Sequence, residues 1–106
     1  NPVNRDKALT VKEKSNGSFL DVSDEEIINA YKILGKEEGI FCEPASAASI
    51  AGLLKCKEKV PSGATIVCVL TGNGLKDPDC AINNNDAVFY SDLDPNIKTI
   101  TQVMNL

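Results

Sequence analysis

Apolar side chains recur at helical spacing in the first half of the chain. Four of them stand three or four positions apart: Ile27, Ala30, Tyr31 and Leu34. This spacing is typical of a helix with one buried face. Ser23 comes before the pattern and Glu26 three residues later, which is the spacing of a capping box. Gly39 follows the pattern and favours the end of the helix there, because glycine readily adopts the left-handed conformation at helix ends.

A second helix is predicted to begin at Glu43-Pro44, since proline suits the first helical position. It runs from Ala45 to about Lys55, and alanine, serine and glycine dominate its first part. So many small side chains let a helix approach another backbone or a ligand closely. Weaker signals predict three further helices: residues 4–14, a start at Asp77-Pro78, and Asp94-Pro95 to about Met104.

The pattern changes after Gly63. Thr65 to Leu70 is a continuous apolar run rich in β-branched residues, which suits a strand that is covered on both faces. Residues 18–22 and 87–90 are shorter strand candidates. Helices and strands therefore alternate along the whole chain, which favours an α/β fold, a three-layer sandwich with a mostly parallel sheet.

Composition and charge narrow the classes of function. The 106 residues are 42% apolar and 25% charged, ordinary values for a single globular domain. The net charge of -4 argues against a nucleic-acid partner. The chain has no histidine, so no imidazole catalysis is expected, and no metal site is predicted. No apolar run approaches 18 residues, so no membrane span is expected, and four cysteines without C-x-x-C spacing favour a reduced, cytoplasmic protein.

The turn Thr71-Gly72-Asn73-Gly74 is the first candidate site. It follows the predicted buried strand, and ligands of open α/β sheets bind beyond the carboxyl ends of the strands. Glu43, at the start of the small-residue helix, is the second candidate. By spacing alone, a plain strand-to-helix turn and a simple capping carboxylate are the better explanations of these two features. Lys76 and Asp77 are expected to form an exposed ion pair that contributes little.

Two segments give a more specific signal when they are taken together. Glu38 to Ala48 contains Glu43-Pro44-Ala45-Ser46, and Leu70 to Asp79 has the sequence LTGNGLKDPD. In this order they resemble the C-terminal third of the threonine synthases, in the tryptophan synthase β-like, fold type II family of pyridoxal-phosphate enzymes. The resemblance covers nearly the whole chain and is weakest after Ala81. It implies that residues 1–106 are one partial domain, the C-terminal portion of such an enzyme, as the start without Met also suggests.

The resemblance also implies roles for individual residues. Thr71 matches the hydroxyl residue that hydrogen-bonds the pyridine nitrogen of the cofactor, Glu43 matches the acidic residue beside the cofactor ring, and Gly72 belongs to the same cofactor-binding turn. Asn73 stands where family members often carry histidine, so no role of that side chain is carried over. In the family, the Schiff-base lysine and the glycine-rich phosphate loop lie upstream. No catalytic residue is therefore assigned here, and Lys76 is not given the Schiff-base role.

Threonine synthases convert O-phosphohomoserine and water into threonine and phosphate with pyridoxal phosphate. The resemblance thus implies that this chain is part of a lyase with a small-molecule substrate. The chain would contact the rest of the enzyme chain, and the enzyme would form a homo-oligomer. The 106 residues alone are expected to be inactive, to bind no cofactor and to expose apolar surface. Two alternatives stay open: another fold type II lyase, such as a threonine or serine dehydratase, and a non-catalytic α/β binding module. The segment from Thr71 to Asp79 favours threonine synthase.

Overall fold

The computed structural model describes residues 3–84 and 93–104. Five α-helices lie in these ranges: α1 (Arg5–Ser15), α2 (Asp24–Glu38), α3 (Ala48–Cys56), α4 (Pro78–Asn84) and α5 (Ile97–Met104). Three short 3-10 helices accompany them: Pro44–Ala47, Lys57–Lys59 and Gly74–Lys76. The Cα radius of gyration is 18.7 Å, whereas a compact domain of 100 residues has about 13 Å. Among the described helices, none combines the length and the apolarity that a membrane crossing requires.

Helix α2 begins and ends as the sequence predicts. Ser23 Oγ accepts the Glu26 N–H at 3.2 Å, and Glu26 Oε2 accepts the Ser23 N–H at 2.7 Å, which completes the capping box. Gly39 adopts the left-handed conformation with a φ of 65°. The next N–H, that of Ile40, donates to the Leu34 carbonyl at 3.0 Å. Backbone groups that a helix leaves unpaired at its ends are therefore satisfied at both ends of α2.

The core lies where α2 packs against Pro44–Ala47 and α3. Six apolar residues are buried there: Ala30, Tyr31, Leu34, Cys42, Ala47 and Ala51. Half of them are alanines, so the helices approach closely but each contact buries little apolar area. Outside this core, Lys55 links α3 to the start of α2, because its Nζ donates to the Asp21 carbonyl at 2.9 Å and lies 3.1 Å from Glu26 Oε2.

Two predicted helices differ from the sequence-based expectation at their first turn. The helix that follows Glu43 starts as the 3-10 helix Pro44–Ala47, and α geometry begins only at Ala48. Single 3-10 turns are frequent at the N-termini of α-helices. The last helix begins at Ile97 and not at Asp94-Pro95, because the Asn96 Oδ1 accepts the Thr99 N–H at 2.9 Å and so caps the helix at that point.

The predicted parallel sheet does not form among residues 3–84 and 93–104. The only β-pairing there is one antiparallel bridge, between Cys42 and Asn73. Neither residues 18–22 nor residues 65–70 form a strand. A strand needs a neighbouring strand for its backbone hydrogen bonds, and the described part of the chain places none beside them. The third predicted strand, at residues 87–90, lies outside the described residues.

Candidate functional site

Residues 41–43 and 71–74 meet in a small antiparallel junction, hereafter the junction. The Glu43 N–H donates to the Gly72 carbonyl at 3.0 Å, and the Gly74 N–H donates to the Phe41 carbonyl at 3.1 Å. These two bonds flank the bridge between Cys42 and Asn73. The segments are about 30 positions apart in the sequence, and the junction brings the three predicted cofactor-binding residues, at positions 43, 71 and 72, into one place.

A buried serine connects the junction to the helix that follows Glu43. Ser46 is 3% exposed. Its Oγ accepts the Gly72 N–H at 2.7 Å and lies 3.0 Å from the Thr71 Oγ1. Sequence reasoning treated this residue only as one small side chain among several and missed its contacts. The available signal was a hydroxyl among alanines on a buried turn, since a buried polar group needs a hydrogen-bond partner.

A second serine continues the contact one turn later. The Ser49 Oγ lies 3.2 Å from the Ser46 carbonyl oxygen and 3.3 Å from the Val69 carbonyl oxygen. The Cys68 Sγ lies 4.0 Å from the Ser49 carbonyl oxygen. The 3-10 turn and the start of α3 therefore lie together along residues 68–72, and small side chains on these two helices allow that close approach.

The Glu43 carboxylate packs against the backbone of Gly72. A Cβ at position 72 would stand 2.6 Å from the Glu43 Cδ, so any larger residue there would have to displace the Glu43 side chain. The Lys76 Nζ forms an ion pair with the Glu43 Oε2, and the Glu43 side chain is only 17% exposed. This ion pair lacks hydrogen-bond geometry, and among the described residues no hydrogen bond reaches the buried Oε2. One polar atom of the junction is thus left with unused capacity to accept a hydrogen bond.

The expected ion pair between Lys76 and Asp77 was wrong. Lys76 contacts Glu43 instead, and the Asp77 Oδ1 accepts the Cys80 N–H at 3.1 Å at the start of α4. The two neighbouring side chains therefore have different partners. The Glu43 side chain is 17% exposed but that of Lys76 is 67% exposed, so water screens the ion pair in part.

Thr71 is an exposed residue at the edge of the junction. A hydroxyl offers one proton and two lone pairs, and the contact with Ser46 uses one of these three. The remaining capacity can meet one further polar group from outside the junction. The Asn73 side chain is engaged locally, since its Oδ1 accepts the Leu75 N–H at 2.9 Å.

Neither a nearby cavity nor the buried thiol changes this description of the site. A cavity of about 540 Å³ is lined by Asp24, Ile27, Ile28, Glu43, Pro44, Ala45, Lys76 and Asp77. Glu43 is among these residues but Thr71 and Gly72 are not, so the cavity adjoins the candidate site without containing it. Burial raises the pKa of the Cys42 thiol, and the nearby Glu43 raises this pKa further. A thiol with a raised pKa stays protonated and is a poor nucleophile.

A family comparison places the junction in a known context. A family model described as "Pyridoxal-phosphate dependent enzyme" matches residues 1–72, which is more than half of the chain. The chain belongs to this family. The match confirms the pyridoxal-phosphate enzyme family that the resemblance predicted, and it includes positions 43, 71 and 72. The assignment of these positions to the cofactor stays a prediction, because a family match alone does not identify contacts.

Individual family members are similar over nearly the whole chain. The threonine synthase of Synechocystis sp. is 58% identical over 104 residues, which are 98% of this chain and 27% of that protein. The threonine synthase of Mycobacterium tuberculosis is 49% identical over 96 residues, which are 89% of this chain and 27% of that protein. The threonine synthase of Methanocaldococcus jannaschii is 48% identical over 99 residues, which are 92% of this chain and 24% of that protein. The chain spans about a quarter of the length of these curated relatives.

Proposed function

We propose that residues 1–106 form the C-terminal part of a threonine synthase and provide the pyridine-nitrogen side of its pyridoxal-phosphate site. The observation that carries the proposal is the junction. It places an exposed hydroxyl, Thr71, beside Gly72 and within the same backbone pairing as Glu43. The 58% identity to the Synechocystis sp. threonine synthase over 98% of the chain supports this assignment.

The proposed reaction converts O-phospho-L-homoserine and water into L-threonine and phosphate. Pyridoxal phosphate, when it is bound, acts as the electron sink that reactions at successive substrate carbons require. The role of Thr71 is to hydrogen-bond the pyridine nitrogen and so fix the orientation of the ring. Because Thr71 is a neutral hydroxyl, it does not force a proton onto that nitrogen, as an aspartate would. Gly72 lets the backbone approach the ring closely.

Glu43 and Lys76 are assigned to the neighbourhood of the ring and not to covalent chemistry. Glu43 lies against Gly72, and its carboxylate is paired with Lys76. The ion pair holds the Lys76 Nζ against the Glu43 carboxylate and away from a covalent role. Lys76 is therefore a poor candidate for the Schiff-base lysine. In this proposal, the Schiff-base lysine and the phosphate-binding loop belong to the rest of the enzyme.

The parallel sheet predicted from the sequence belongs to the same proposal. Ile66, Val67 and Val69 are 48%, 82% and 66% exposed. Strands from the rest of the enzyme would cover these side chains and complete a three-layer sandwich. The proposal also includes a homo-oligomer in the cytoplasm, with a small-molecule substrate. Sedimentation of the complete enzyme tests the oligomeric state.

A chimera tests the proposed function. In it, this chain replaces the matching 104-residue segment of the Synechocystis sp. enzyme. The chimera is expected to bind pyridoxal phosphate, to release phosphate and threonine from O-phosphohomoserine, and to support growth of cells that lack threonine synthase. A chimera that folds like the parent enzyme but binds no cofactor would contradict the proposal. A chimera that instead converts threonine or serine to a keto acid would favour the dehydratase alternative.

The isolated chain provides a second test. Treatment of the 106 residues with pyridoxal phosphate and borohydride is expected to leave no stoichiometric cofactor adduct on Lys76, because the Lys76 Nζ is paired with the Glu43 carboxylate. Mass spectrometry after proteolysis locates any adduct. A specific adduct on Lys76 would overturn both its assignment and the expected inactivity of the isolated chain.

A further inference from the structure

The Ser46 hydroxyl lies between two polar groups with different requirements. The Gly72 N–H, 2.7 Å from the Ser46 Oγ, is a donor only. Ser46 must therefore accept at this contact, and its single proton remains for another partner. Ser46 is 3% exposed, so water does not readily take that proton.

Two acceptors compete for the Ser46 proton. The Thr71 Oγ1 lies 3.0 Å away, whereas the Gly72 carbonyl oxygen lies 3.5 Å away. Hydrogen bonds from hydroxyls are typically about 2.5–3.0 Å long, so the carbonyl is a poor acceptor at this distance. The Gly72 carbonyl also already accepts the Glu43 N–H at 3.0 Å. The proton of Ser46 is therefore best placed on the bond to Thr71.

The direction of the hydrogen bond between Ser46 and Thr71 determines whether Thr71 presents a donor or an acceptor outside the junction. If Ser46 donates to Thr71, the Thr71 proton is free to point to the accessible edge. If Thr71 donated to Ser46 instead, only its lone pairs would face outward, and the Ser46 proton would be left with the distant carbonyl. A pyridine nitrogen that carries no proton is an acceptor and needs a donor opposite it.

We infer that Ser46 is a positioning residue that sets the direction of the Thr71 hydroxyl, so that Thr71 donates its proton to the pyridine nitrogen. The hydrogen-bond chain runs from the Gly72 N–H to Ser46, from Ser46 to Thr71, and from Thr71 to the cofactor. Each bond in such a chain polarises the next and strengthens it. The inference rests on the proposed function, because it takes Thr71 as the partner of the cofactor.

A double-mutant cycle in the chimera tests this role. The variants are Ser46→Ala, Thr71→Val and the two combined, and the readouts are the dissociation constant of pyridoxal phosphate and the resonance of its pyridine nitrogen in a ¹⁵N-labelled cofactor. Each single variant is expected to weaken cofactor binding about threefold to tenfold, the effect of one hydrogen bond. The combined variant is expected to bind as Thr71→Val does, because Ser46 acts through Thr71.

Ser49→Ala is the matched control. It removes a hydroxyl from the same helix, one turn later, whose contacts are the Val69 and Ser46 carbonyls and not Thr71. It is expected to lower the urea midpoint and to leave both the dissociation constant and the nitrogen resonance unchanged. Ser46→Ala is expected to lower the urea midpoint as well, but also to move the nitrogen resonance in the same direction as Thr71→Val does.

Several results would overturn the inference. Ser46 has no positioning role if Ser46→Ala leaves the nitrogen resonance in place. The same holds if Ser46→Ala weakens cofactor binding equally with and without the Thr71 hydroxyl. A Thr71→Val chimera that binds the cofactor as tightly as the unmodified chimera would remove the role of Thr71 and that of Ser46 together. Failure of the unmodified chimera to bind the cofactor would instead count against the proposed function, so the two failures are distinguishable.

Discussion

Two regions of this chain carry the apolar side chains expected of a core, and they have opposite fates in the structure. Helices α2 and α3, with the 3-10 turn between them, contribute most of the buried core, including Tyr31 and Leu34, which are each 5% exposed. Residues 65–70 form an apolar run rich in β-branched residues, yet Val67 is 82% exposed. Apolar composition alone therefore does not decide burial in this chain.

The difference comes from where each region finds its partner. An α-helix satisfies its own backbone hydrogen bonds and needs only an apolar face to pack against. Helix α2 finds that face a few residues later, in Pro44–Ala47 and α3. A strand instead makes its backbone hydrogen bonds with neighbouring strands. Among the described residues, residues 68–72 lie beside the start of α3, the 3-10 turn Pro44–Ala47 and the single bridge of the junction, and none of these offers the ladder of backbone groups that a strand provides.

The largest expected effect is that of a charge at Val67, because it contrasts the isolated chain with the complete enzyme. In the isolated chain, Val67→Asp is expected to change the free energy of unfolding by less than about 0.5 kcal/mol, since the position is exposed. In the chimera the same change is expected to cost several kcal/mol, because a covered strand would bury an unpaired carboxylate. Thermal unfolding of both proteins measures the difference.

Val67→Thr is the control for this comparison, since it keeps the β-branched shape without the charge. It is expected to cost far less than Val67→Asp in the chimera and little in the isolated chain. Equal tolerance of Val67→Asp in both proteins would show that residues 65–70 stay exposed in the enzyme. The proposed parallel sheet would then be wrong at this segment.

The next effect contrasts the two regions within the isolated chain. Leu34→Ala is expected to lower the free energy of unfolding by about 2–5 kcal/mol, because it leaves a cavity in a small core. Val67→Ala removes apolar carbons from an exposed position and is expected to cost less than about 0.5 kcal/mol. Urea titrations followed by circular dichroism compare the two variants. A similar cost for both would mean that residues 65–70 are buried in solution, for example between two copies of the chain.

Local signals in the sequence were sufficient for the helices. The capping box of Ser23 and Glu26 and the stop at Gly39 use contacts within a few residues, so sequence spacing predicts them directly. The sheet was not predicted correctly for the described residues, because a strand depends on a partner that is distant in sequence. The apolar run from Thr65 to Leu70 indicates that a strand there would need neighbouring strands, but it does not show whether this chain contains them.

The candidate site, too, was predicted only in part from the sequence. Thr71, Gly72 and Glu43 were candidates from their positions in the sequence, a resemblance gave them cofactor roles, and the structure brings them together at the junction. The contacts of Ser46 and Lys76 were missed, because they join positions 25 and 33 residues apart through side-chain geometry that periodicity does not encode. A buried serine and a lysine beside a glycine turn are common in sequences, and only the fold shows which groups they meet.

A smaller effect tests whether the junction belongs to the packed region. A Cβ at position 74 would stand 2.5 Å from the Phe41 Cζ. Gly74→Ala is therefore expected to displace the Phe41 ring and to lower the free energy of unfolding by about 1–3 kcal/mol. Gly35→Ala is the matched control, since no atom lies within 4 Å of the added methyl in α2. It is expected to stabilise the chain by about 0.5–1 kcal/mol. Equal signs for both in urea titrations would indicate that the junction does not form in solution.

The smallest effect concerns the capping box at the start of the packed region. The hydrogen bond from the Ser23 N–H, followed by the contact with Lys55, lowers the pKa of the Glu26 carboxyl below its ordinary value of 4.5. A lowered pKa stabilises the folded chain above pH 4.5, and this stabilisation is lost as the pH falls through the folded-state value. Glu26→Gln is thus expected to be less stable than the unmodified chain at neutral pH, and the difference is expected to shrink as the solution is acidified.

The control for this titration is Glu25→Gln, which removes the same charge from the same helical turn but leaves the capping box in place. Both variants lose the favourable interaction of a carboxylate with the helix N-terminus, so only the excess effect of Glu26→Gln reports the capping contacts. Urea midpoints at a series of pH values between 3 and 7 measure it. An excess that stays constant down to the lowest pH would contradict the lowered pKa, and α2 would then owe its start to the Ser23 hydroxyl and not to the carboxylate.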